Sequence, residues 1–358
     1  MKKSLVALAL MGAFAGAHAQ SSVTIYGTLD AGLSKTTGST AQIGKRDNNK
    51  LGFRGVEDLG SGLKALFQLE IRYEPDTGTI ENTAGANSRP LFQGQSRVGL
   101  QGNFGTVRLG RGLTPFQETS TAFEPWSGVP AVAGYQTNLQ VAGYTSDPLA
   151  PPGSSGNRFS NAVWYNSPVL NGFQLNVAVA TKESLNNTTA IIGRGTALAP
   201  QYTVNAMASA NPFGASATYT LNQFAAYAAY ERNAIETKLW SVGASYKPIP
   251  ALKLMGSYQK QDMDHTVLAG AANHETDAWL VGANYTMGPG KLLLGYGQKS
   301  PDRILKTKQV SIGYEYNIST RTYLYFDLSN RKMPVPATTA TVNDSSVNHY
   351  SIGIHHNF

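Results

Sequence analysis

From Val23 to the last residue the chain reads as segments of roughly ten residues in which apolar and polar side chains alternate. Trp240, Val242, Ala244 and Tyr246 alternate with Ser241, Gly243 and Ser245. Val310, Ile312, Tyr314 and Tyr316 alternate with Ser311, Gly313 and Glu315. A period of two sends successive side chains to opposite faces of a strand, and no 3.6-residue apolar stripe competes with it. The pattern predicts 16 strands, over 23–34, 47–58, 62–74, 95–103, 105–112, 158–167, 172–182, 214–221, 223–231, 236–247, 250–261, 275–287, 290–299, 306–317, 320–331 and 347–358. Punctuation is weakest over 183–234.

Two kinds of connection separate these strands. Short turns such as Asp58-Leu59-Gly60-Ser61-Gly62, Leu170-Asn171-Gly172 and Met287-Gly288-Pro289-Gly290 carry the residues that tight hairpins need. Longer polar stretches occupy 35–47, 75–94, 113–157, 183–212, 262–273, 300–305 and 333–346. Short turns at one end and long loops at the other describe a single continuous barrel without a linker.

Composition points to where such a barrel resides. Charged residues make up 14% of the chain, against about 25% in an average soluble protein. Beyond the N-terminus there is no uncharged apolar run of about 18 residues, which excludes a spanning helix. In hydrocarbon every backbone N–H and C=O needs a partner, so a closed barrel is the remaining spanning architecture. An even strand count brings both termini to one rim, where the first and last strands can pair. The expected fold is all-β: a 16-stranded antiparallel transmembrane β-barrel.

Residues 1–19 read as a cleaved export signal: Lys2 and Lys3, then an apolar run from Leu5 to Ala17, then Ala17-His18-Ala19. The barrel domain is then 20–358. Without Lys2 and Lys3 the formal net charge falls from +7 to +5. The bases are scattered, which disfavours a nucleic-acid partner. There is no Cys, hence no disulfide and no thiolate metal site.

Aromatics favour strand ends: Tyr26, Tyr73, Tyr165, Tyr230, Tyr246, Tyr258, Tyr285, Tyr296, Tyr316 and Phe358. They are expected as girdles at the two membrane interfaces. Tyr350, Ile352, Ile354, His356 and Phe358 share one face of the final strand. A terminal Phe358 after that alternation looks like the signal by which outer-membrane barrels are recognised for insertion.

The same alternation fixes where each charge points. With Leu51 and Phe53 outward, Lys50 and Arg54 face inward. With Phe67, Leu69 and Ile71 outward, Lys64, Gln68, Glu70 and Arg72 face inward. Val98 and Leu100 outward turn Arg97 inward, and Val107 and Leu109 outward turn Arg108 inward. A charge on the lipid face at mid-membrane would cost about 2–4 kcal/mol. None of the six histidines has HExxH spacing, and no GxSxG elbow or phosphate-binding loop occurs. The chain is therefore read as a non-enzyme without cofactor or metal.

Ser22-Val23-Thr24-Ile25-Tyr26-Gly27-Thr28-Leu29-Asp30-Ala31-Gly32-Leu33, then Leu51-Gly52-Phe53-Arg54-Gly55-Val56-Glu57-Asp58-Leu59-Gly60, resemble the opening strands of the Gram-negative general porins, betaproteobacterial type. Arg97-Val98-Gly99-Leu100, Phe104-Gly105-Thr106-Val107-Arg108-Leu109-Gly110-Arg111 and the ending Gly353-Ile354-His355-His356-Asn357-Phe358 extend the resemblance over 20–358. It implies a homotrimer in the outer membrane of a Gram-negative cell, among outer-membrane lipid and lipopolysaccharide. It implies passive diffusion of ions and small hydrophilic solutes, and a third extracellular loop folded inward.

The 113–157 stretch stands where the family has that constriction loop, and it carries Glu118, Glu124 and Asp147. Glu124-Pro125-Trp126-Ser127-Gly128 resembles the acidic turn at the loop tip. The family's basic wall carries over to Lys50, Arg97 and Arg158, and spacing adds Arg72. Arg54 and Arg108 complete the inward bases of the expected constriction, with Glu118 and Glu124 opposite. Bases outnumber acids, so weak anion selectivity is expected. A substrate-specific channel and a barrel acting in adhesion or structure are the alternatives; the first would show aromatics along its interior, for which Tyr323 and Tyr325 are candidates.

Overall fold

The computed structural model describes residues 22–81, 90–140, 144–148, 157–182, 190–196, 199–203, 210–262, 275–302, 306–334 and 344–358. The proposed signal, 1–19, and His265 and His274 lie outside them.

The first strand is β1 (Ser22–Thr36), followed by a short β2 (Gln42–Gly44) and β3 (Asn49–Gly60). Then come β4 (Leu63–Tyr73), β5 (Gln95–Gly102), β6 (Gly105–Leu113), β7 (Arg158–Asn166) and β8 (Phe173–Ala180). A separate two-stranded hairpin, β9 (Ala190–Thr196) and β10 (Ala199–Thr203), falls in the weakly punctuated region. The series resumes with β11 (Phe213–Leu221), β12 (Phe224–Arg232), β13 (Lys238–Ile249), β14 (Leu252–Asp262) and β15 (Glu275–Met287). It ends with β16 (Gly290–Pro301), β17 (Thr307–Asn317), β18 (Thr322–Pro334) and β19 (Asp344–Asn357).

Leaving aside β2, β9 and β10, each strand pairs antiparallel with its neighbour in the series, β8 with β11, and β19 with β1. The result is a closed 16-stranded barrel. Closure runs from Thr28↔Asn357 to Thr36↔His349, and Gly27 and Phe358 exchange two backbone hydrogen bonds of 3.1 Å below it. Among the described residues every strand of the ring has a partner on each side.

Exposure follows the predicted alternation. Val23, Ile25, Leu29 and Leu33 of β1 are exposed, whereas Thr28 and Asp30 are buried. The outward aromatic row includes the ring pairs Trp240–Tyr258 and Trp279–Tyr296. Tyr26 corrects the girdle list: it faces inward, because it shares the parity of Thr28 and Asp30 rather than of Ile25 and Leu29.

Among the described residues the ring has a local opening at β1. Between β2 and β3 the chain leaves β1, and side chains replace the missing rungs. Asn49 accepts from the Asp30 N–H at 2.5 Å and donates to the Asp30 carbonyl at 3.0 Å, while the Tyr73 hydroxyl donates to the Thr28 carbonyl. Beside this opening the Arg46 backbone N–H donates to the Asp30 carboxylate, and the Arg46 side chain is almost completely buried.

The loop between β6 and β7 carries a six-residue helix, α1 (Pro115–Ser120), a 3-10 turn (Thr121–Phe123) and a π turn (Gln136–Gln140). Thr114 caps α1 by accepting from the Gln117 N–H, with Pro115 in the first turn. This loop lies against inward-facing side chains of the wall. Thr119 bonds Ser216, Asn284 donates to the Pro125 carbonyl, and Gln309 donates to the carbonyls of Ala133 and Gly134. Phe116 and Phe123 pack with Tyr227 and Leu239, and Trp126, Tyr135 and Leu139 pack with Leu280 and Leu293. At Gly282 and Gly295 a Cβ would collide with Pro125 and with the Tyr135 ring, so these wall positions admit only Gly beneath the loop.

Candidate functional site

The inward faces of β3 to β6 form one connected polar belt. Register sets Arg54 opposite Gln68, Gln68 opposite Arg97, and Gly99 opposite Arg108. Small residues between the bases leave room for long guanidinium side chains. Helix α1 brings Glu118 to this wall. Its carboxylate accepts from Arg97 Nη1 at 3.1 Å and from Arg108 Nη1 and Nη2 at 3.3 and 3.2 Å. Arg97 Nε donates to Gln68, Gln68 donates to the Tyr26 hydroxyl at 2.6 Å, and that hydroxyl donates to Glu70 at 3.2 Å. The Arg54 guanidinium stands 5.3 Å over the Tyr26 ring and is otherwise exposed to the interior.

A cavity of about 720 Å³ opens beside this belt, lined among others by Arg54, Arg97, Arg108, Lys253 and Glu118. Lys253 reaches in from β14 and donates to the Ala122 carbonyl at 2.6 Å. Four bases thus meet one carboxylate in the lining. A group so composed offers a positive field and hydrogen-bond donors in a narrow polar space.

On the adjoining wall, β16 to β19 and β1, two carboxylates are held by bases. Arg46 donates to Asp327 and to Glu315, both at 2.8 Å. Lys291 pairs the second oxygen of Glu315 at 2.5 Å. Asp30 accepts from the Arg46 backbone and from Tyr325, and lies 3.1 Å from His355 Nδ1. Asp327 also accepts from Trp126 Nε1 at 3.0 Å, tying the long loop to the same group. Tyr323 and Tyr325 do face inward, but Arg46 covers both rings, at 5.8 and 4.8 Å, and Tyr323 stacks on His355. They offer no open aromatic file to a solute.

The expected site residues therefore divide. Arg54, Arg97, Arg108 and Glu118 line one cavity. Lys50 and Arg72 face each other across β3 and β4 on the inner side, with Arg72 Nε 3.8 Å from Glu70. Arg158 is 1% exposed and donates to the Gly94 carbonyl at 2.6 Å, so it sits behind the open interior. Glu124 is a correction: it is fully buried, and its carboxylate accepts from the backbone N–H groups of Trp126 and Gly128, closing the turn of its own loop. Burial pushes its pKa up to about 7 against the pull of those N–H groups.

Lys291, Lys253, Arg46 and Arg111 are among the bases that escaped the sequence reading. Lys253 could have been found, since Leu252 and Leu254 flank it on the outward face. Arg46 lies between strands, where no period applies. Arg111 shares the parity of the outward Leu109, but the register slips between Gly110 and Gly112, and Gly110 has φ +125°. That bulge brings the Arg111 side chain to Ser160 at 2.6 Å and to Asp147 at 3.7 Å.

The comparisons with known proteins agree with this architecture. Outer membrane porin protein 32 of Delftia acidovorans is 33% identical over 342 residues, covering 92% of this chain and 89% of that protein. The major outer membrane protein P.IB of Neisseria lactamica is 34% identical over 199 residues, about half of each chain. The solved anion-selective porin from Comamonas acidovorans superposes with a TM-score of 0.75 at 25% identity, covering 95% of this chain and all of that one. The family model described as Gram-negative porin matches residues 6–332, and the chain belongs to that family of outer-membrane channels.

Proposed function

We propose that the barrel is a general diffusion porin with a weak preference for anions, and that its narrow passage is the cavity beside Arg54, Arg97, Arg108 and Glu118. Small hydrophilic solutes and ions cross it passively, and no covalent chemistry is involved. The observation that carries the reading is the charge imbalance of the two walls. Four bases meet one carboxylate at the cavity, while on the adjoining wall Glu315 and Asp327 are paired by Arg46 and Lys291. Lys50 and Arg72 extend the basic wall, and Glu124 and Arg158 support it from buried positions.

The relatives support the reading too: one is named a porin and another an anion-selective porin. A homotrimer, contact with outer-membrane lipid, removal of residues 1–19 and an insertion role for Phe358 belong to the same proposal. The test is the zero-current potential of the purified barrel in a planar bilayer across a salt gradient. A potential of the sign set by anion permeation is expected. A clear cation preference would overturn the proposal.

A further inference from the structure

The outward rim beside the long loops is not uniform in charge. On β13 to β15 each lysine there has a carboxylate: Lys238 lies 3.7 Å from Asp262, and Lys260 lies 2.7 Å from Glu275. Asp277 accepts from the Tyr258 hydroxyl at 2.7 Å. On β17 and β18 the arrangement differs. Lys308 and Lys332 stand directly opposite each other in the register, both exposed on the outward face. Neither has an ion-pair partner among the described residues. Like charges placed directly opposite on one face of a sheet repel.

The surroundings of the pair are polar and hold donors. Gln298 flanks Lys308 on β16, and Ser346 flanks Lys332 on β19. Asn330, one step toward the barrel middle, donates to Ser346 at 2.6 Å and to Asn348 at 2.7 Å. Just below lie the outward aromatics Tyr296 and Tyr350, at the level where half-wet rings mark a membrane interface. Two unneutralised lysines above an aromatic belt face the depth at which lipid phosphates lie.

We propose that the Lys308–Lys332 pair is a docking site for a phosphate group of an anionic lipid headgroup in the leaflet on the long-loop side. The phosphate sits between the two ammonium groups and converts their repulsion into two charge-assisted hydrogen bonds. The inference rests on the outer-membrane barrel reading but not on its ion preference, since both lysines point away from the interior.

The test compares the full-length barrel in detergent with the K308Q/K332Q double variant, each titrated with diphosphorylated lipid A and read by native mass spectrometry. Binding about thirtyfold weaker in the variant is expected, at about tenfold for little more than one lysine's share of surface attraction. Dephosphorylated lipid A should bind both proteins equally weakly. Bilayer conductance of the variant should match the parent, which separates loss of the site from loss of the barrel. Equal binding of the phosphorylated lipid to both proteins would overturn the proposal. So would saturation of the site by inorganic phosphate alone, which would make it a free-anion site. A change of oligomeric state with unchanged lipid binding would assign the patch to a second copy and overturn it as well.

Discussion

Glu118 holds two guanidinium groups at once, and that makes it the balance point of the basic wall. At about 5 Å in a water-like medium one unit charge is worth about 0.8 kcal/mol, or about fourfold in local ion concentration. Glu118→Gln leaves Arg97 and Arg108 without a counter-charge; anions gain about fourfold and cations lose about fourfold, so the anion-to-cation permeability ratio should rise by about sixteenfold. Arg97→Ala removes one base and should lower it by a similar factor. Zero-current potentials of the two variants should therefore move in opposite directions. The shift should shrink toward 1 M salt, where the screening length is about 3 Å. Movement in the same direction would place the selective field elsewhere. Inward direction at Arg54, Arg97 and Arg108 was legible because each sits in an unbroken alternation with outward Phe53, Val98 or Leu109. Arg111 was not, because one bulged residue inverts parity. Glu124 was misplaced because composition shows that a loop tip is acidic, not whether its carboxylate turns to the interior or back to its own backbone.

The loop between β6 and β7 depends on wall and loop fitting as two surfaces. Strand positions were readable to within about three residues because alternation is a local property. The fold of the loop was not, because a six-residue helix has no 3.6-residue stripe and its place is set by distant partners such as Gln309 and Asp327. The stability of its turn is also linked to a proton. Glu124 has its pKa raised from 4.5 to about 7, so the folded turn holds a proton over a range in which the open chain does not. Where the folded state binds more protons, stability falls as pH rises. The turn is therefore firmest below 4.5, and it loosens as pH climbs to about 7. Open-channel current noise should grow across that window in the parent protein. Glu124→Gln, which has no proton to release there, should flatten the trend. A variant with the same pH-dependent noise as the parent would remove Glu124 as its source.

At the scale of the whole barrel, everything depends on one seam. Alternation and an even strand count were enough to expect that the first and last strands meet, though not that Phe358 would add the last rung. Its backbone exchanges two hydrogen bonds with Gly27, and its ring lies where a Cβ on Gly27 would have to go. Phe358→Ala keeps the backbone bonds and loses only the ring. The ring is 42% exposed, so its removal should cost the folded barrel only about 1 kcal/mol. A recognition role predicts something larger and elsewhere. If the terminal aromatic is what the cell's assembly machinery reads, the variant should reach the outer membrane several-fold less than the parent. The same variant refolded in detergent should reach near-parental yield and conductance. We expect that split, measured as membrane yield against refolding yield from equal amounts of chain. Equal losses in cell and tube would make Phe358 a seam residue alone. Equal yields in both would leave β19 pairing to Thr28–Thr36 of β1 as sufficient for closure and for assembly.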